Sequence, residues 1–534
     1  MAQLPVTYSA EERIWSGLPV ACRTKDVPSL GEIIFNNMKK CGQNVCQIWD
    51  DEDVIVTFDQ ALSWAIRLAE FFKKRGLGHK EVIGISAENS KYLLSLGVAC
   101  LMNGTPFHSL NPVLDRDTHQ QLFMLTKPLL VFCDGKIYEK IYKATFEWQP
   151  EIYILTDQVE GVPSIELLLE PTTTEEFYKP EPLKEGGDQT VAILCSSGTT
   201  GLPKAVCISN RSLLPTPSAL LNSDSVGFSY AALDWISGVA SFISHTAFGF
   251  TRILSRTLVT PEYLVQLVEK YKISTIVLAP FRLSALINCP AASSESLASL
   301  RCVFCSGGIV SGASLQRCQK LCKNATFSQI YALTEAGNIS MALSTENGNS
   351  VGRPLPGVKI RIVSEEGENL KHNQVGEIYA HTELVWRGYY GNPEESLRFR
   401  DSEGWFHTGD LGYFDDQNLL YIVDRCKDTL KYQGQHYWPG EIEQVILELC
   451  QVQHVCVVGI YDEKVGDEAG ALVVKRKGLP LQAEEIVDHV AQRLPKFKQL
   501  HAGVQFADEM PVNQNGKILK KAAREIFLAK RKLI

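Results

Sequence analysis

The run Ser196-Ser197-Gly198-Thr199-Thr200-Gly201-Leu202-Pro203-Lys204 concentrates the residue types that hold a polyphosphate. Glycines let backbone N–H groups approach an anion, hydroxyls donate hydrogen bonds, and a lysine adds charge. One apolar segment, Thr190 to Cys195, leads into the run and another, Ala205 to Ile208, leads out. The spacing therefore predicts a loop carried between two strands. It is not a P-loop, because Leu202-Pro203 separates Gly201 from Lys204 and Ala205 stands where a magnesium-binding Ser or Thr belongs. A plain polar loop is the competing reading, but a buried strand seldom opens into such a run.

Four further blocks follow in order: Tyr331-Ala332-Leu333-Thr334-Glu335, then Gly404 to Leu411 (GWFHTGDL), then Val423-Asp424-Arg425-Cys426-Lys427 through Gly434 to Glu443, and finally Pro511 to Lys517 (PVNQNGK). Together with the first run they closely resemble the motifs of the adenylate-forming (AMP-binding) superfamily. Its luciferase-like and 4-coumarate–CoA ligase-like acyl-CoA synthetases are the most similar branch. Single blocks are weak: Tyr331 to Glu335 alone reads equally as a strand-to-turn junction, and Asp410 as a turn or N-cap residue. Lys517 alone is one more surface lysine beside Lys520 and Lys521, and Trp235 alone is a core aromatic. Five blocks in order, across more than half of the chain, are specific.

The resemblance implies an ATP-dependent acid–thiol ligase. Hydroxide is a hopeless leaving group, so a carboxylate attacks the α-phosphorus of ATP, pyrophosphate departs, and the acyl-adenylate is open to the thiol of CoA. The protein must gather charge, align the groups and exclude water. By resemblance, Ser196, Ser197, Gly198, Thr199, Thr200, Gly201 and Lys204 hold the β- and γ-phosphates. Thr334 and Glu335 act at the α-phosphate, with Glu335 as the Mg2+ ligand, since a carboxylate suits a hard cation that keeps its waters. Tyr331 stacks on adenine, and Asp410 and Arg425 take the ribose hydroxyls. Lys517 is the catalytic lysine, Lys427 the hinge, Gly434 the backbone approach to CoA, and Trp235 lines or gates the acyl pocket. The implied substrate is a fatty acid.

Departures point to the alternatives. Ala205, Ala332 and Ile330 replace usual glycines, and His381-Thr382 replaces a frequent Arg-Gly, which suggests a degenerate adenylate-binding protein. Retention of Lys204, Thr334, Glu335, Asp410, Arg425 and Lys517 weighs against that. A luciferase-like oxygenase is disfavoured because Asp234 to Gly238 (DWISG) stands where luciferases carry His-His-Gly-Phe-Gly, and Gln433 replaces a lysine. A peptide-synthetase module is disfavoured by the 17 residues that follow Lys517.

The elements that must position these residues are legible as alternating periods. Phe58 to Arg75 has helical spacing, and Glu81 to Ser86 reads as a strand, followed by a helix through Cys100. Leu129 to Cys133, Ile152 to Leu155, Val191 to Cys195, Ile276 to Leu278 and Val303 to Cys305 read as short buried strands, so mainly parallel α/β layers are expected. Val358 to Val363 and Gly376 to Ala380 predict a small β-rich subdomain. Beyond Asp424 a second, α+β unit begins: helices over 439–450 and 484–493, strands over 455–460 and 471–475. The expected division is an adenylation domain, 1–426, and a small mobile C-terminal domain, 427–534, carrying Lys517. Tyr230 to Phe250 is strongly apolar but contains Asp234 and His245, so it predicts a buried cavity-lining helix rather than a membrane span.

At 534 residues the chain needs more than one core, and its net charge of −8 argues against nucleic acid as a partner. Fifteen scattered cysteines fit free thiols in a reducing compartment. Cys302 and Cys305 sit three apart in a strand pattern, on opposite faces, with no second pair to complete a zinc site. Residues 1–10 show no secretory pattern. The tail ends Lys532-Leu533-Ile534, close to a peroxisomal tripeptide but not one, so residence is peroxisomal or cytoplasmic.

Overall fold

The computed structural model describes residues 4–20, 27–196, 204–215, 221–343, 349–513 and 516–531. Two sheets of the large N-terminal part are built on parallel strands, as the alternating pattern requires. One has six strands, with Ile83–Ser86, Phe107–Ser109, Leu130–Cys133, Glu151–Ile154 and Thr190–Ser196 parallel, and Lys204–Ser209 antiparallel at its edge. The other has nine, with a parallel centre that includes Val45–Trp49, Thr251–Leu254, Val226–Ser229, Thr275–Leu278, Cys302–Ser306 and Thr326–Leu333. Helices cover these faces. Phe58–Lys74 begins where the Thr57 side chain accepts from the Gln60 N–H, and buries Ala61, Ala65, Leu68 and Phe72 on one stripe. Leu93–Asn103 is apolar all round and buried throughout, as a helix between two layers must be.

The β-rich unit is a third, antiparallel sheet of six strands: Val6–Ser9, Ile14–Gly17, Val358–Val363, Gly376–Thr382, Trp405–Phe414 and Leu420–Arg425. Its N-terminal pair carries no strong period. What holds it is tertiary: Trp15 is fully buried and stacks on Phe414 with centroids 4.2 Å apart.

The C-terminal part is a five-stranded sheet, with Val452–Asp462 against Gly466–Lys475 and Gly503–Ala507 parallel to the latter. The helix expected over 439–450 ends at Ile446, because turns at Leu447 to Leu449 reverse the chain into Val452–Asp462. No helix among the described residues is long and apolar enough to cross a membrane. The apolar segment expected over 230–250 holds the helix Ile236–Phe248, ended by Gly249 at φ 73°.

Candidate active site

Two hairpins carry the residues expected at the phosphates. Strands Thr190–Ser196 and Lys204–Ser209 pair antiparallel, with Lys204 opposite Ser196. Ser197, Gly198, Thr199, Thr200 and Gly201 lie outside the described residues. The second hairpin joins Thr326–Leu333 to Gly337–Leu343, with Leu333 opposite Gly337. Thr334, Glu335 and Ala336 therefore form a three-residue turn, closed by Gly337 at φ 74°, where a side chain would be strained. This is how the sequence presents Thr334 and Glu335 together.

The Glu335 carboxylate accepts from the Tyr389 hydroxyl at 2.9 Å and is bonded by the Ser196 side chain. The two hairpins thus meet at this group. Burial raises its pKa, which these hydrogen bonds and nearby Lys204 only partly offset. A half-buried carboxylate beside Ser196 and Lys204 supplies the hard oxygen donor that a magnesium ion takes. Among the described residues no three His, Cys, Asp or Glu side chains converge as a metal cage.

Lys204, expected at the phosphates, is engaged by two neighbours. Its amine pairs with Glu395, at the start of helix Pro393–Phe399, and lies 5.0 Å from the centroid of the Tyr389 ring. A phosphate has to draw it from Glu395. Tyr389 and Glu395 carry no motif signal; only their packing against the loop reveals them.

Asp410 is neither a turn nor an N-cap residue. It stands within strand Trp405–Phe414, directly opposite Arg425. Its carboxylate is 3.2 Å from Arg425 Nε and accepts from the Tyr331 hydroxyl at 2.8 Å. Tyr331 is buried, packed against Ile339 and its neighbours, and its hydroxyl is committed to Asp410. Burial raises the Asp410 pKa, against the pull of Arg425, the Tyr331 hydroxyl and Lys517.

Lys517 reaches this pair from the C-terminal part. Its own loop is closed by Asn513, whose side chain accepts from the Lys517 N–H at 2.9 Å and whose N–H donates to the Lys517 carbonyl at 2.9 Å. Gly516, at φ 80°, lies against Phe281 and Arg282 of helix Pro280–Ile287. The same helix meets the C-terminal sheet where Phe281 stacks on His454, centroids 4.2 Å apart. Lys517 is exposed as a residue, yet desolvation of its amine lowers the pKa to about 8, helped by Arg425 and opposed by Asp410.

Lys520 is not the surface lysine that its basic neighbourhood suggests. It binds Asp424 at 3.2 Å and Asp428 at 3.0 Å, tying helix Lys520–Arg531 to the connection between the two parts. That connection is the single turn Cys426–Asp428, between Leu420–Arg425 of the antiparallel sheet and Leu430–Tyr432 of the C-terminal one. Lys427 lies exposed within it. Gly434 closes the hairpin Leu430–Tyr432/Gln435–Tyr437 with Gln433, at φ 82° and 48°. It is exposed, with no heavy atom within 4 Å of where a Cβ would stand.

Trp235 is the half-buried residue preceding helix Ile236–Phe248. Beside it Asp234 is buried, accepts from Asn111 at 2.7 Å, and burial raises its pKa to about 6. Its charge reaches Cys195, next to Ser196, so this segment adjoins the phosphate hairpin.

Sequence comparison matches residues 34–390 to the AMP-binding enzyme family and residues 441–517 to its C-terminal domain. A 4-coumarate–CoA ligase of Oryza sativa subsp. japonica is 28% identical over 518 residues, 93% of this chain and 92% of the relative. The luciferin 4-monooxygenase of Photinus pyralis is 27% identical over 502 residues, 90% of each. The fold matches ATP-bound MatB from Rhodopseudomonas palustris with a TM-score of 0.81 at 21% identity, over 93% of this chain and 99% of that one. The first match covers both hairpins and the second reaches Lys517, while Asp410 and Arg425 lie between the two, and the chain belongs to the AMP-binding, adenylate-forming enzyme family.

Proposed function

We propose that the protein is an acid–CoA ligase that activates a fatty acid as its acyl-adenylate and then transfers the acyl group to CoA. The observation that carries the reading is the Lys517 amine, brought from one part of the chain to the Asp410–Arg425 pair of the other. A cation at that point serves a reaction in which a carboxylate and a triphosphate, both negative, must approach. Asp410 accepts ribose hydroxyls while Arg425 and Tyr331 fix its orientation. Thr334 donates to the α-phosphate from the same turn as Glu335. Magnesium, held through Glu335 and phosphate oxygens, would spread the triphosphate charge. Lys204 exchanges Glu395 for a phosphate when the triphosphate binds.

Thioester formation then needs the cation out of the way and a thiol admitted. Rotation about Cys426–Asp428 withdraws Lys517 and turns the exposed Gly434 hairpin toward the site. The apolar helix Ile236–Phe248 beside the phosphate hairpin supports an aliphatic acid, with Trp235 at its entrance. The curated 4-coumarate–CoA ligases at 26–28% identity support transfer to CoA. Pyrophosphate release across a panel of acids, with and without CoA, tests the reading. It predicts release with medium- or long-chain fatty acids and CoA-dependent thioester formation; release without thioester would reject CoA transfer.

A further inference from the structure

Arg252 lies in strand Thr251–Leu254, between Val226–Ser229 and Val45–Trp49 of the nine-stranded sheet, and is only 5% exposed. A guanidinium buried there needs a counter-ion, because an unpaired charge in low dielectric costs far more than a neutral polar group. Among the described residues it has none. Its one hydrogen bond is a long one, from Nη2 to the Ala231 carbonyl at 3.4 Å, and its Nε has no partner. The ionisable groups beside it are Cys46 and His245, 3.3 Å from each other. Burial keeps the thiol protonated and holds the imidazole neutral, with a pKa lowered to about 3, so neither supplies negative charge.

The guanidinium faces a small cavity, about 10 Å³ of room for the centre of a water-sized particle, lined also by Ser90, Gln47, Gly238, Leu94 and Phe242. Three further features converge on it. The Ser90 hydroxyl is buried and unpartnered, free to donate inward. Gln47 is 1% exposed; its Oε1 has no partner and its Nε2 makes only a 3.5 Å contact with the Lys91 carbonyl. Turning the amide over brings its NH2 group to the cavity but gives up the weak contact with the Lys91 carbonyl and sets the amide oxygen beside it, an exchange that only an anion in the cavity would favour. Two helices also begin here. Leu93–Asn103 and Ile236–Phe248 both lack a side-chain cap, and Leu94 and Gly238 of their first turns line the cavity. Unsatisfied N–H groups and the positive ends of two helix dipoles thus add to the charge of Arg252.

We propose that this cavity is a binding site for one compact monovalent anion of the halide class. A water would satisfy Ser90 and Gln47 but would leave the guanidinium uncompensated. The cavity has room for one water-sized particle, which excludes sulfate, phosphate and nucleotides. The nearby acids do not fill the role: Glu52 and Asp157 pair with Arg256, at 3.6 and 2.9 Å, and Glu166 takes the Tyr92 hydroxyl. The anion would pin the start of helix Ile236–Phe248, and with it Trp235, to the sheet beneath. The site therefore stands independently of the substrate assigned above.

The test uses the full chain at constant ionic strength, in potassium chloride or bromide against potassium gluconate, whose anion is too large. Halide is expected to raise the melting temperature by about 3 °C at a hundredfold excess over its Kd. Arg252→Met is expected to lose that increment. Crystals grown in bromide provide a readout that needs no variant: an anomalous peak is expected in contact with the Arg252 guanidinium. Equal melting temperatures in halide and gluconate, or bromide peaks confined to the surface, would overturn the site.

Discussion

The state of the Lys517 amine is open to a direct pH test. Enclosure by the Asp410–Arg425 region lowers its pKa to about 8, from the 10.5 of an ordinary lysine. A depressed lysine pKa has a definite sign: the amine is charged below the shifted value and neutral above it. Adenylate formation, which uses the positive form, must therefore weaken as pH rises. With a midpoint of 8 the protonated fraction falls roughly tenfold between pH 7 and pH 9. The side chain keeps a path to water, so screening moves the midpoint upward and shrinks that loss, but the limb stays well below the ordinary lysine range. The assay is pyrophosphate release at subsaturating ATP, because kcat/KM reports the free enzyme. Lys517→Arg is the control: a guanidinium stays charged throughout, so its residual activity should lose the alkaline limb. If kcat/KM stays flat to pH 10, or if the arginine variant keeps the same limb, the charge at position 517 is not what the reaction uses.

Three other outcomes follow from the geometry. Lys427→Pro fixes φ in the turn Cys426–Asp428, so adenylate should still form while CoA-dependent turnover fails; unchanged thioester synthesis would remove the hinge. Tyr389→Phe deletes the hydroxyl donated to Glu335, and loss of a hydrogen bond to a charged group should weaken magnesium-dependent activity by roughly 10- to 100-fold, read as a raised magnesium requirement with an unchanged melting temperature. Trp235→Ala should shift kcat/KM toward longer fatty acids, each further buried methylene gaining about 0.8 kcal/mol, whereas a lower melting temperature with an unaltered chain-length profile marks it as core packing.

Much of this architecture is legible in the sequence, for identifiable reasons. The phosphate run, the Thr334–Glu335 turn and the C-terminal lysine loop are contiguous blocks, so their order along the chain matches the family's motifs although each block is weak alone. The parallel layers are legible because strands buried on both faces read as apolar runs. What escaped is non-local. Tyr389 and Glu395 are ordinary residues whose meaning arises only when they pack on Glu335 and Lys204. The family resemblance places the Asp410–Arg425 pair at one site, but its cross-strand register is visible only in the fold. Lys520 hides within a basic run until the fold sets it between Asp424 and Asp428. The first two strands hold only because Trp15 reaches Phe414, about 400 residues away. Arg252 carries no motif, and its isolation becomes visible only in the packed sheet.

The central claim is that Lys517 serves the first half-reaction and is withdrawn for the second. Single-turnover measurement of both halves on Lys517→Ala tests this most directly. Removing one preorganised charged donor costs roughly 3–4 kcal/mol of barrier, a factor on the order of hundreds in rate. Formation of acyl-adenylate from acid and ATP should fall by that factor, while conversion of supplied acyl-adenylate and CoA to thioester should proceed at close to the unmodified rate. Equal loss in both halves would contradict the account.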